Sequence, residues 1–217
     1  SPEEVSDAVE VVEWIAKQPW SDGSIGVTGV SYSGTSAEML ATRKHPAVKA
    51  LIPRFSLFDC YSEIAFPGGL YNEWFMKSWA AGNKLLDDGR PDFGGLISFW
   101  AVRGPKPVDE DPERVEIYVA SREHSTNANP YKDTEKLTYR DDVVWNGLTF
   151  QEFCPHGFVD ELKASNLPIY SYSGWWDGAY ALSAIRRFKS IQNPQSRLVL
   201  GPWDHGGRQN ISPMSPE

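Results

Sequence analysis

The chain has 217 residues, 41% of them hydrophobic and 23% charged, with a formal net charge of −8 and a pI near 5.1. That balance suits one ordinary folded domain, or one domain carrying an insertion, and argues against disorder. An acidic chain without a dense Lys/Arg cluster is a poor partner for nucleic acid, and no apolar run approaches the roughly 20 residues of a membrane span.

The opening stretch, SPEEVSDAVEVVEWIAKQPW, predicts a helix. Ser1 is placed to cap it, Pro2 suits the first helical position, and Glu3 and Glu4 sit where the helix dipole favours acids. Val5, Ala8, Val12 and Ile15 recur at helical spacing and mark a buried face. Pro19 and the turn Ser21-Asp22-Gly23 end it. The short apolar run SIGVTGV (24–30) predicts a buried strand, a helix follows from about Tyr32 to Arg43, and AVKALIP (47–53) predicts a second strand. This rhythm is that of a parallel α/β sheet. The start has neither Met nor a signal peptide and opens directly on a helix, so the chain reads as a piece of a longer one and its compartment is unknown.

From about Phe55 to Leu167 the alternation stops. YNEWFMKSWAAGNKLL (71–86) and DPERVEIYVASREH (111–124) read as helices, and TFQEFCPHGFVDELKAS (149–165) partly so. Turn-rich GRPDFGG (89–95) and RGPKPVDEDPE (103–113) lie between them, and the acidic run Asp109-Glu110-Asp111 reads as a solvated loop. Residues 55–167 are therefore expected to form a helical insertion, with 1–54 and 168–217 as the α/β core. Alternation resumes at LPIYSYSGWWDG (167–178), a strand ending in a loop. AYALSAIRRFKSI (179–191) is then a helix, and SRLVLGPWDHGG (196–207) a further strand and loop. Cys60 and Cys154 are too few for a disulfide framework and lack metal-ligand spacing; they are expected as buried thiols, with one disulfide as the alternative. Aromatic residues, 13% of the chain, fit either a ring-lined pocket or an aromatic core.

Three strand ends carry reactive residues in the order Ser31, Asp177, His205. That is the order of the α/β hydrolases, and in open α/β sheets ligands bind outside the carboxyl ends of the strands. A serine hydroxyl needs an imidazole to take its proton, and the imidazole needs a carboxylate to fix its tautomer. In GVTGVSYSG, Gly29 stands two residues before Ser31, as a sharp strand-to-helix turn requires, and the backbone N–H of Tyr32 would face a developing oxyanion. The common G-x-S-x-G pattern wants a second glycine where Ser33 stands; Gly34 is one further on. Ser33 as nucleophile fits less well, and a purely structural turn remains the competing reading of the stretch taken alone. Asp177 is preferred to Asp204 as the partner of His205, because sequence neighbours in a loop rarely turn their side chains toward each other. His45, His124 and His156 read as surface or structural. The acidic groups of YRDD (139–142), Glu73 and Glu123 read as caps or solvated positions, with binding of a substrate ammonium as the alternative.

GVTGVSYSG, SGWWDGAY and LVLGPWDHGG together resemble the three signatures of the cocaine-esterase-like (CocE/NonD) serine hydrolases. These are relatives of Xaa-Pro dipeptidyl-peptidases and α-amino-acid ester hydrolases. Residues 29–34 fit that family's elbow, G-x-S-Y-x-G, in full. The resemblance, from the first helix to about Gly207, implies an α/β-hydrolase fold with an inserted helical cap. It implies Ser31 as nucleophile, Asp177 as orienting acid, His205 as base and the Tyr32 N–H as one oxyanion donor, with no metal and no cofactor. It also implies that the first strands, a second oxyanion donor from a tyrosine, and a C-terminal jelly-roll domain lie outside these residues. Trp175, Trp176 and Trp203 flank the acid and base and are candidates for an acyl pocket, with core packing as the alternative. The substrate expected is a small ester or amide, or a short peptide whose Xaa-Pro dipeptide is released. A non-catalytic binding module is the reading from another class.

Overall fold

The computed structural model describes residues 1–88 and 115–205; the loops at 89–95 and 103–113 and residues 111–114 of the expected helix lie outside them. The chain divides into two compact units, residues 1–70 with 138–217, and residues 71–137.

The first unit is built on a parallel four-stranded sheet in the order β1-β2-β3-β4, with β1 Ile25–Val30, β2 Val48–Arg54, β3 Tyr170–Gly174 and β4 Arg197–Gly201. Val27 pairs with Leu51, Arg54 with Tyr172, and Tyr172 with Val199. Helix α1 (Pro2–Ala16) begins in a capping box, in which the Ser1 hydroxyl accepts from the Glu4 N–H and Glu4 reaches back to the cap. Helix α2 (Tyr32–Ala41) joins β1 to β2. Val5 and Val12 of α1 are buried, as their spacing predicts. Val12 meets Leu40, Ala47 and Val48, and a second cluster joins Ala37, Ala41, Leu51, Phe58, Leu162 and Ile169. Leu51 and Leu162 are each 1% exposed, burial that contributes about 1.5–3 kcal/mol per side chain.

The strands are not buried on both faces, as the apolar run of β1 suggests. Thr28 and Val30 on β1, Ile52 and Arg54 on β2, and Tyr170 on β3 are exposed. The physical reason is alternation: the opposite side chains carry the helix-covered core, and among the described residues this face carries no comparable cluster.

Segments 55–70 and 138–167 pack within the first unit. A π-helical turn Tyr61–Ala65 and a 3₁₀ turn Pro67–Gly69 follow β2. Further on come α6 (Phe150–Phe153), a 3₁₀ turn Pro155–Phe158 and α7 (Val159–Ser165). Tyr61, Phe66 and Phe150 form a ring cluster, so part of the aromatic content is packing. Cys60 and Cys154 are free thiols: Cys154 is buried, Cys60 only half-buried, and the Cys60 N–H donates to the Cys154 sulfur at 3.2 Å.

Helix α8 (Tyr180–Ile191) joins β3 to β4 and carries a buried cation. Arg187, 1% exposed, pairs through Nε with Glu38 of α2 at 2.7 Å and donates to Ser171, Ser56 and the Leu57 carbonyl. Burial outweighs the pull of Arg187 and pushes the Glu38 carboxyl up to about 7.

The second unit contains α3 (Glu73–Asp87), α4 (Val115–Glu123), a 3₁₀ turn His124–Thr126 and α5 (Pro130–Thr134). Tyr71 hydrogen-bonds Thr134, and Ser121 donates to the Asp87 carbonyl. None of the described helices is long and apolar enough to cross a membrane.

Candidate active site

β1 delivers the chain to a sharp turn at Ser31 (φ 61°, ψ −128°), and α2 starts at the next residue. A side chain held at such a φ stores about 1–3 kcal/mol of strain. Glycines at two places make the turn sterically possible. A Cβ on Gly29 would stand 2.3 Å from the Ser33 carbonyl carbon, and one on Gly34 would stand 2.8 Å from Ser56 Cβ and 2.9 Å from the Gly29 oxygen. Ser33, where the common pattern has its second glycine, is exposed. The close crossing falls at 29 and 34, which is why this elbow tolerates a side chain at 33. The Ser31 N–H donates to the Arg54 carbonyl at 3.0 Å, anchoring the turn to the end of β2. Tyr32 opens α2, so its N–H is among the donors that a helix start leaves without an intrahelical partner.

At the same edge of the sheet, β3 runs into Trp175-Trp176-Asp177 and β4 into Pro202-Trp203-Asp204-His205. Two backbone bonds lace these loops together, Trp175 N–H to the Gly201 carbonyl at 2.8 Å and Trp176 N–H to the Trp203 carbonyl at 3.2 Å. Asp177 is buried, and its carboxylate oxygens lie 2.9 and 3.1 Å from His205 Nδ1. The partner of His205 is thus Asp177. Burial raises the Asp177 carboxyl, against the opposing pull of His205. The bond to Asp177 raises the His205 imidazole above its usual value, against partial burial. With Nδ1 engaged, Nε2 is the nitrogen left for proton transfer.

Two aromatic side chains flank His205. Phe55, at φ 46° directly after β2, sets its ring edge-to-face with His205 at 6.4 Å and 83°. Tyr180, the first residue of α8, packs on the imidazole with centroids 4.4 Å apart. Among the described residues the Ser31 hydroxyl makes no direct hydrogen bond to His205.

Residues 1–207 match the X-Pro dipeptidyl-peptidase family, S15. The chain belongs to that family. It is 39% identical, over 99% of its length, to a protein of Mycobacterium bovis named as a serine esterase, and 26% identical over 92% of its length to the cocaine esterase of a Rhodococcus species. It spans only 37% and 34% of those two relatives. A CocE/NonD family hydrolase of Staphylococcus aureus superposes on 93% of the chain and 28% of its own, with a TM-score of 0.55 at 23% identity. The fold of this S15 chain is therefore the α/β-hydrolase fold.

Sequence reasoning passed over Phe55 and Tyr180. The rule that ligands sit at the carboxyl ends of strands, applied to β2 as to β1, points to Phe55. Tyr180 follows Asp177 by three residues at the start of α8 and closes the stretch SGWWDGAY, where only the acid and the tryptophans drew a role. The three tryptophans part company in this S15 chain. The Trp203 ring stacks on Tyr172 at 4.4 Å and covers Gly201, where a Cβ would stand 2.6 Å from it, whereas Trp175 and Trp176 are exposed.

The remaining candidates have local partners. His45 accepts from the Ala47 N–H, His156 sets its ring edge-to-face with Phe58, and His124 lies 3.7 Å from Asp87. Within YRDD, Asp142 accepts from the N–H groups of Thr138 and Tyr139, and Arg140 makes a two-pronged ion pair with Asp59. Glu73 accepts from Tyr131, and Glu123 is exposed.

Proposed function

We propose that this chain is the catalytic segment of a serine hydrolase that cleaves ester or amide bonds through an acyl-enzyme. Ser31 attacks the substrate carbonyl carbon while His205 Nε2 takes its proton. The Tyr32 N–H stabilises the oxyanion, and the positive end of α2 adds to it. His205 then protonates the leaving group, which departs with the bonding electrons. A water, deprotonated by the same imidazole, attacks the acyl-enzyme and releases the acid and Ser31. Asp177 holds the imidazole in one tautomer and stabilises its cation. The observation that carries this reading is the Asp177–His205 pair, standing at the same sheet edge as the strained elbow of Ser31.

The acyl-esterase reading is supported by the 39% identical relatives named as serine esterases. The matched family favours a second reading, removal of Xaa-Pro dipeptides, which a requirement for a free substrate amine would select. Because the chain spans 37% of those relatives, we place the first strands, the second oxyanion donor and a C-terminal jelly-roll in the remainder of the native chain, and assign the helical insertion of residues 55–167 the role of a cap. The segment by itself is expected to be nearly inactive, since one lost oxyanion donor lowers turnover about 10²–10³-fold. Full esterase activity in the isolated segment would overturn that assignment.

The test is labelling of the native-length protein with a fluorophosphonate, followed by peptide mapping, beside Ser31→Ala. An adduct on Ser31 that vanishes in the variant, with turnover lowered by roughly 10⁵-fold, is expected. An adduct on Ser33 moves the nucleophile, and no adduct in folded protein favours the binding-module reading.

A further inference from the structure

Helix α2 lacks the usual means of holding its first turn. Its N-cap is Ser31, whose side chain makes no capping hydrogen bond, and its first turn carries no acid of its own. The turn also has to resist the strain of φ 61° at Ser31. The restraint comes instead from α1. Glu4, half-buried in the first turn of that helix, accepts from the Tyr32 hydroxyl through Oε2 at 2.6 Å and from the Ser36 hydroxyl through Oε1 at 2.9 Å. Tyr32 and Ser36 stand four residues apart and share one face of α2. One carboxylate therefore grips α2 at its first residue and again one turn later, which fixes the rotation of the helix about its axis.

We infer that Glu4 is a positioning residue, which holds the Tyr32 side chain and through it keeps the Tyr32 backbone N–H aimed at the oxyanion. This inference rests on the triad reading proposed above. A nucleophilic serine cannot also cap its own helix, because a capping oxygen is tied to backbone N–H groups. A carboxylate supplied by a neighbouring helix holds the turn and leaves the serine hydroxyl free. An oxyanion donor, in turn, acts through being in place before charge develops, so a first turn that frays forfeits part of its effect. Burial pushes the Glu4 carboxyl up, but the hydrogen bonds from Tyr32, Ser36 and the Ser1 amine outweigh it and hold the group below its ordinary value. Burial and the bond to Glu4 push the Tyr32 phenol up to about 12. Acceptor and donor thus keep their roles at working pH. The negative charge of Glu4 opposes an oxyanion, so its contribution is geometry and not field. No bond to Glu4 or to the Tyr32 side chain forms or breaks during turnover.

The experiment uses the native-length protein and compares wild type with Glu4→Ala, Glu4→Gln and Tyr32→Phe. The readouts are kcat and KM for an activated ester, the inhibition constant of a trifluoromethyl ketone (whose adduct with a serine is a tetrahedral oxyanion), the pH profile of kcat/KM, and the melting temperature. Glu4→Ala and Tyr32→Phe are each expected to lower kcat and to weaken the ketone by about tenfold, the scale of one hydrogen bond. KM should stay unchanged, because acylation and deacylation pass through the same oxyanion. The double variant is expected to lose no more than the larger single loss, since both changes break one tether. Glu4→Gln keeps an acceptor for Tyr32 and should recover most of the activity. The acid limb of the pH profile should stay in place throughout, as His205 is untouched. Glu4→Ala also opens the capping box of α1 and should lower the melting temperature, whereas Tyr32→Phe leaves that box intact and decides the matter if Glu4→Ala folds poorly. Wild-type kcat in Tyr32→Phe, a loss confined to KM or to melting temperature, an unchanged ketone affinity, or an acid limb that moves would each overturn the inference while leaving the triad standing. Absence of fluorophosphonate label from Ser31 in wild type would overturn both.

Discussion

The elbow and the acid–base pair stand at one edge of one sheet, but different forces hold them. At the elbow the constraint is backbone against backbone: two missing Cβ atoms, a φ of 61° at Ser31 and an N–H bound to the Arg54 carbonyl. At the ends of β3 and β4 the constraint is side chain against side chain: a buried carboxylate, an imidazole still partly open to solvent, and rings from Phe55 and Tyr180. The proposed nucleophile is therefore placed by sterics that only glycine satisfies, and the proposed base by contacts that many residues could make. The first is forced by glycines within six residues of one another, and the second depends on partners distant in sequence.

Five substitutions sharpen this contrast. The largest effect is expected from Asp177→Asn, which keeps the shape and removes the charge; kcat should fall by roughly 10⁴-fold through the wrong imidazole tautomer. The pH profile gives the sign. His205 must be neutral to accept a proton, and its bond to Asp177 raises its pKa, so kcat/KM of the wild type falls as pH drops through that raised value. In the variant the residual activity should keep its acid limb at lower pH. An unmoved limb would mean that Asp177 does not set the base.

The two regions are tied together by Arg187 on the acid's helix and Glu38 on the elbow's helix. Arg187→Ala leaves a carboxyl buried without its cation and should cost about 3–5 kcal/mol in a denaturant titration. Gly29→Ala attacks the elbow alone. Its Cβ meets backbone atoms rather than a flexible side chain, so a loss of about 3 kcal/mol or more is expected, exceeding that of Gly34→Ala. Equal losses at both glycines would show that the helix shifts more easily than the packing implies. The smallest effect belongs to Trp176→Ala on the exposed loop, measured as kcat/KM for benzoyl against acetyl esters. A change in that ratio of about tenfold is expected if the ring lines the acyl pocket, and equal effects on both esters would remove it from the pocket.

Much of the fold was legible because its signals are local. The capping box at Ser1–Glu4, the buried spacing of Val5 and Val12, and the alternation of strands and helices on either side of the insertion all rest on neighbours a few residues apart. The exposed second face of β1 was not legible: a short apolar run reads alike whether one face or both are covered, and only packed neighbours distinguish the two cases.

By itself, then, the sequence determined the elbow and the order of the three reactive residues, because Gly29 and Gly34 are demanded by the approach of one backbone to another whatever else surrounds them. Tertiary structure alone set Tyr180 and Phe55 around His205, whose pairing with Asp177 the sequence had already favoured. It also carried Arg187 of an outwardly ordinary amphipathic helix into a pocket with Glu38, 149 residues away. Those outcomes depend on side chains distant in sequence finding one another in a low-dielectric interior, where an unpaired charge is too costly to persist.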